Sequence, residues 1–479
     1  MHNRAAKIPL YQKLADKLEK LIEGGTFRAG DRFPSVRQMS QDHRVSISTV
    51  VEAYSLLEDR GRIEGRPRSG YFVRARATRL ERVPKPARHL NKPVDVSCTG
   101  IFQAVMDAIQ HPEVVPFGAA TPGDEICPYT RLTSLGNALV RQHGAELFRY
   151  TVSPGQMDLR VQIAKRLLKS GVELSPDDII TTVGASESLG LALRATTKPG
   201  DVVVVENPTY FGLLDLIQTL GLQAIEVPQN PETGMDLDAL ADTLRTHAVA
   251  ACIVQSNFQN PMGSLMPDEN KRILVRMCSD AGVTLIEDEL YGDLHFFGET
   301  RPPSVKVFDT EGSVIQCSSF SKTISPGLRV GWIVPGNHYE KVKRFKASLS
   351  PANCTHSELV VAEFLKSGGF DRHLRRVRSI YFNQVRQVRE AIFDAFPEGT
   401  CVSSPQGGFL LWVELDKRVN AEKLAVDALD SDISVVPGSL CSATCQFRNT
   451  LRINCGHPWT NRMEQALGVL GHLARRQLA

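Results

Sequence analysis

The 479-residue sequence predicts two folded units of different class: a small, mainly helical module carrying a β-hairpin, and a large α/β domain built on a mostly parallel sheet. Three observations predict it. The chain is longer than one ordinary domain. Its charge is uneven, since residues 1–97 hold 20 Lys and Arg against 11 Asp and Glu, which leaves 36 against 42 in the remainder. From residue 98 onward, helical spacing of apolar residues gives way to strand-length runs alternating with helical stretches.

Bulk composition narrows the class. With 42% hydrophobic and 23% charged residues the chain can fill a large core. No apolar run approaches the roughly 18 residues of a membrane span, and the start has no long apolar stretch, so neither a membrane helix nor a signal peptide is expected. Ten cysteines lack paired metal spacing; Cys441 and Cys445 have no histidine pair near them. Zinc and other metals are not expected, and a reduced cytoplasmic protein is. A basic front on a mildly acidic body suggests a polyanion-binding module joined to something else.

The front module builds in order. Leu14, Leu18, Leu21 and Ile22 lie at helical spacing between Pro9 and Gly24–Gly25. Pro34–Ser35 open a second helix to about His43, a turn follows near Val45, and Ser46 or Ser48 can cap a third helix that stops at Gly61. Two short helices across a tight turn, the second opening with small hydroxylated residues, make a helix-turn-helix. Small side chains there allow close approach to phosphates and base edges. RIEGRPRSGYFV then reads as a two-stranded wing with Arg66, Arg68, Ser69 and Gly70 at its tip. The text GDRFPSVRQMS with VSISTVVEAYSLLEDRGRIEGRPRSGYFV resembles the winged helix of GntR-type regulators. The resemblance implies double-stranded DNA as a partner, with Arg37, Ser48, Thr49, Arg68 and Gly70 at the contact. Ile47 and Val51 depart from it, standing where some members carry arginine. The module is placed at 1–76 and an exposed, proline-containing basic linker at 77–97.

Within residues 98–479, the runs IITTV, DVVVVE, AACIVQ, VTLIEDE, SVIQCSSFS and RVGWIV mark strands. Ligands of such sheets sit at the carboxyl ends of strands, so the residues just after each run matter. Those residues are Asp288 and Tyr291; Asn260; Gly184, Ala185 and Ser186; Tyr210; and Ser319, Ser321 and Lys322, with Arg329 beyond. An acid, two donors, an aromatic face, an anion cradle and one amine together fit pyridoxal 5′-phosphate (PLP). The acid keeps the ring nitrogen protonated, the cradle holds the phosphate, and the lysine forms the Schiff base. Burial and Arg329 are expected to lower the lysine's pKa.

This set is similar to that of the fold-type I aminotransferases, which implies a PLP-dependent α/β domain with a smaller C-terminal α+β subdomain. The resemblance implies Lys322 as the internal aldimine lysine and Asp288 as the ring-nitrogen partner. Tyr291 and Asn260 would meet the ring oxygen and Tyr210 would stack. Gly184, Ala185, Ser186, Ser319, Ser321 and Arg329 would hold the phosphate, with Tyr150 reaching it from a second subunit. Arg452 would grip a substrate or effector carboxylate. NPMG stands where NPTG is commoner, with Asn260 retained.

A GntR-type winged helix joined to such a domain resembles the MocR-type transcriptional regulators. The resemblance implies a head-to-tail, domain-swapped homodimer that senses an amino compound or PLP through aldimine chemistry. Two other classes stay open: a working aminotransferase carrying a DNA-binding arm, and a DNA-binding protein whose large domain only dimerises. Sustained amino-donor turnover would mark the former, and absence of a cofactor absorption band the latter.

Overall fold

The computed structural model describes residues 10–23, 26–27, 30–59, 62–66, 70–73, 84–96, 107, 111, 113–298 and 300–479. The chain divides into two compact units, Met1–Glu81 and Arg82–Ala479.

The small unit is three helices and a hairpin around one aromatic-rich core. Helix Leu10–Glu23 buries Leu14, Ala15 and Leu18 against Val50, Ala53, Tyr54 and Leu57 of helix Ile47–Asp59. Phe33, Met39, Ile63 and Val73 complete the core. Between them runs helix Val36–His43, capped by Ser35, whose hydroxyl accepts from Gln38 N. Arg44 turns the chain in the left-handed region (φ 51°). Of the two candidate caps for the next helix, Ser46 is used: its Oγ accepts from Thr49 N at 3.1 Å. Ile63–Arg66 and Gly70–Val73 pair antiparallel as the expected wing. Gly70 takes φ +92°, a conformation that favours glycine. The wing tip 67–69, including Arg68, lies outside the described residues.

In the large unit, the main sheet runs Val94–Asp95, Gln223–Asn230, Val202–Asn207, Val249–Val254, Thr284–Asp288, Val314–Ser319, Gly331–Val334, Ile180–Thr182, with Gly234–Met235 beside Gln223–Asn230. The five strands from Gln223–Asn230 through Val314–Ser319 pair parallel; Gly331–Val334 runs antiparallel to both its neighbours, so the sheet is mixed around a parallel centre. Strands Val202–Asn207 and Val249–Val254 near its middle carry continuous apolar runs because apolar cores lie on both faces. All six runs read from the sequence form strands. Gln223–Asn230, which carries Glu226 and Pro228, was not among them.

A second sheet of four antiparallel strands, Cys401–Val402, Leu410–Glu414, Thr450–Asn454 and Val436–Pro437, packs with helices Ala421–Leu429 and Asn461–Arg476. This is the expected C-terminal α+β subdomain. Helix Gly369–Ala395 joins the two cores: Phe370, Leu374, Val377 and Tyr381 pack in one, Val385, Val388 and Ile392 in the other.

The described part of the expected linker is docked rather than free. Lys85 N donates to Glu414, Arg88 N to Gln446 Oε1, and Val94–Asp95 adds an edge strand beside Ala224 and Gln223. Backbone groups at 84–96 thus find partners on the large unit, although many side chains stay exposed. No helix among the described residues is long and apolar enough to cross a membrane.

Candidate functional site

Parallel register places the site at one end of the main sheet. Val254 pairs with Glu287 and Asp288 with Cys317, so Gln255, Asp288 and the Ser319–Lys322 turn leave adjacent strands together. Across the antiparallel pairs, Ser319 sits opposite Gly331, and Gly331 opposite Thr182, two residues before Gly184.

Asp288 is buried. Its Oδ2 accepts from Gln255 Nε2 at 2.5 Å, while Oδ1 has no partner. Burial pushes its pKa up to about 6; the Gln255 donor and the Lys322 charge pull it back, and Glu287 adds to the rise. Lys322 is half-buried, and its Nζ donates to the Ala120 carbonyl at 2.5 Å. Burial, then Arg452, then Arg329 bring its pKa down to about 8, with Asp288 opposing. Arg452 therefore does more to this amine than Arg329, the residue the sequence pointed to.

Arg452, on strand Thr450–Asn454, is fully buried. Nη1 donates to Asn260 Oδ1 at 3.2 Å, Nη2 to the Gly118 carbonyl, and Nε has no partner. The guanidinium lies 5.0 Å from the Phe211 ring centroid. Among the described residues no carboxylate pairs with it, and burial lowers its pKa. A buried cation held only by neutral acceptors is a site prepared for an anion. Tyr291 is buried edge-on to Phe409, and burial drives its hydroxyl pKa well up. Tyr210 folds its ring over Gly212, where a Cβ would come within 2.5 Å of the hydroxyl.

The candidate anion cradle forms where helix Ala185–Thr196 begins. Gly184 has φ +127°, and a Cβ there would meet Arg329 Nη2 at 2.5 Å, so only glycine lets the guanidinium approach the helix N-terminus. Ser319 is buried and accepts from Ser321 N at 3.2 Å; Ser186 and Arg329 are exposed. Tyr150 is not gathered with these groups. It is 87% exposed, beside Phe148 at 84%.

The family described as aminotransferase class I and II matches residues 123–470. The chain belongs to this family. To its aminotransferase domain is joined a segment, residues 10–73, that matches the bacterial regulatory proteins of the gntR family. The union is that of the MocR-type regulators. Two HTH-type transcriptional regulators of Escherichia coli K12 are similar over nearly the whole length: YjiR is 37% identical and YdcR 35%, each covering 98% of this chain and 99% of its own. Among solved structures, the α-aminoadipate aminotransferase LysN of Thermus thermophilus, complexed with N-(5′-phosphopyridoxyl)-L-leucine, superposes with a TM-score of 0.73 at 28% identity. That match covers 79% of this chain and 95% of LysN. The chain is thus a GntR-type DNA-binding regulator fused to an aminotransferase-like domain, and the aminotransferases of this family are PLP-dependent.

In the gntR-type segment, Arg37 and Ser48 are exposed and Thr49 half-buried, on the two helices that flank the turn. Ile47 and Val51 are 54% and 46% exposed. Sequence reading missed four contributors to the aminotransferase-like site. The Gly118 and Ala120 carbonyls act through the main chain, which leaves no residue signal. Gln255 follows a strand run as the other candidates do, yet a lone glutamine suggests no chemistry. Glu206, buried beside it with Oε1 unpartnered, is raised to about 8 by burial.

Proposed function

We propose that this chain is a PLP-dependent, ligand-responsive DNA-binding transcriptional regulator whose aminotransferase-like domain senses an amino compound or PLP at Lys322. One observation carries the reading: a single buried place gathers an acid with one unpartnered oxygen, an amine of lowered pKa and a guanidinium with no carboxylate partner among the described residues. The donor set fits PLP, and the gap at Gly184 leaves Arg329 facing a helix start, as a phosphate requires.

When bound, PLP supplies an aldehyde that condenses with amines and a ring that withdraws electrons when its nitrogen is protonated. Lys322 is the amine, and Asp288 offers Oδ1 to the ring nitrogen. Tyr291 and Asn260 serve the ring oxygen, and Tyr210 its face. Gly184, Ala185, Ser186, Ser319, Ser321 and Arg329 hold the phosphate. Arg452 takes the carboxylate of an amino-acid effector. Tyr150, exposed on its own chain, completes the cradle of a second copy in a head-to-tail dimer. The deciding experiment titrates purified protein with PLP and then with amines and amino acids, following absorbance together with binding to its own upstream DNA. A ligand that changes absorbance and also shifts DNA binding supports the reading; absence of any PLP binding overturns it. Because Lys322, Asp288 and Arg452 are all present, a working transaminase is the second reading, and sustained turnover with an amino donor and a 2-oxo acid would favour it.

Neutral amine is the reactive form, so its fraction grows as pH rises through the pKa. Borohydride-trapped PLP at Lys322 should therefore reach half its maximum near pH 8, not near the 10.5 of an ordinary lysine, as peptide mass analysis across pH would read. At the DNA module, 1–76, Arg37→Ala should weaken binding to all sequences alike and reduce the salt slope by about one. A loss confined to one operator sequence would instead make Arg37 a base reader.

A further inference from the structure

We propose that Gln255 is a positioning residue of this site: its carboxamide ties Asp288 and Asn260 into one hydrogen-bonded line that ends on Arg452. The inference rests on the PLP reading above. Gln255 is 7% exposed and directly follows strand Val249–Val254. Its own N–H donates to Glu206 Oε2 at 3.1 Å. The side chain is used at both ends: Oε1 accepts from Asn260 N at 2.8 Å, and Nε2 donates to Asp288 Oδ2 at 2.5 Å. Asn260 Oδ1 in turn accepts from Arg452 Nη1.

The orientation of this carboxamide is fixed by chemistry. Asn260 offers an N–H, which only the carboxamide oxygen can accept, so the NH₂ must face the carboxylate. That donation leaves Asp288 with one satisfied oxygen and Oδ1 as the only open acceptor. It also counters groups that disfavour the charge. Burial and Glu287, which precedes Asp288 on its own strand, oppose the charge; Glu206 on strand Val202–Asn207, Tyr291, Tyr210 and Cys317 lie close and have raised pKa values; Lys322 is the cation facing it. Without Gln255 the balance rests on Lys322 alone, and that is the side chain PLP would consume.

Two substitutions separate positioning from packing. Gln255→Glu keeps the acceptor for Asn260 N–H but sets a second carboxylate against Asp288. Gln255→Met keeps the volume and removes both bonds without adding charge. Each variant would be reconstituted with PLP, and its dissociation constant and the pH dependence of the bound cofactor's visible absorption measured beside circular dichroism and thermal melting. For Gln255→Glu the expected result is at least ten-fold weaker PLP binding and a spectral midpoint displaced upward by a pH unit or more. Gln255→Met should move both in the same direction by less, and it also serves if the glutamate variant does not fold. Wild-type PLP affinity and an unmoved midpoint in a folded Gln255→Met protein, with Asp288→Asn disturbing both, would overturn the positioning role and leave the PLP reading standing. Failure of the unaltered protein to bind PLP would overturn both.

Discussion

Lys322→Ala is expected to leave the protein colourless after incubation with PLP and dialysis, with no borohydride-fixed cofactor on any peptide and no response of DNA binding to amino compounds. Binding to DNA in the absence of effector should stay within about two-fold, because the winged helix folds around its own core of Leu14, Leu18, Tyr54 and Leu57. The loss should come from chemistry and not from unfolding. Lys322 is a half-buried cation in the field of Arg452 and Arg329, and its one hydrogen bond goes to a main-chain carbonyl. Removing the charge relieves that repulsion and gives up the attraction of Asp288, so the two changes offset and the melting temperature should stay within a few degrees of the parent. Lys322→Arg is the informative control, since it keeps the charge and cannot condense with an aldehyde. If the arginine variant still answers to amino acids, the response is electrostatic and the covalent part of the proposal fails.

How far the sequence could be read depended on whether a signal was local. Val203, Val204 and Val205, or Cys252, Ile253 and Val254, sit in continuous apolar runs because both sheet faces are covered, and a run of that kind is visible without a partner. Asp288 closes one such strand, Lys322 follows a second and Asn260 lies in the loop after a third, so the strand-end rule exposed them. Strand Gln223–Asn230 was hidden because its burial includes a charge. Glu226 is accommodated by Ser442, Thr444 and the Ala443 N–H, more than two hundred residues away. The docked segment 84–96 escaped for a related reason: its prolines and basic residues do suit an exposed linker, and what holds it is backbone hydrogen bonding to Glu414 and Gln446. Likewise the Gly118 and Ala120 carbonyls engage Arg452 and Lys322 through atoms every residue possesses. Long-range polar partnerships of this sort are not encoded in spacing.

Arg452→Met should separate ligand recognition from stability, because the two effects have opposite signs. Losing a forked pair of charge-assisted bonds to a carboxylate costs about 3 kcal/mol, so an amino-acid effector should bind roughly 100-fold more weakly while the corresponding amine without a carboxylate is little changed. Stability should not fall in step. Breaking a buried ion pair is expensive because it strands a counterion, but among the described residues Arg452 has none to strand; its partners are Asn260 Oδ1, the Gly118 carbonyl and the Phe211 ring. The two abandoned acceptors cost about 1 to 3 kcal/mol each at most, against several for keeping an uncompensated guanidinium out of water. A melting temperature within a few degrees of the parent is therefore expected. The amine at 322 supplies a third readout. Arg452 is the largest charge lowering Lys322, so its removal should carry the midpoint of borohydride trapping upward from about pH 8 toward 10.5. An unchanged amino-acid response with a much lower melting temperature would mark Arg452 as a structural residue, and an unmoved trapping midpoint would show that burial alone sets the amine.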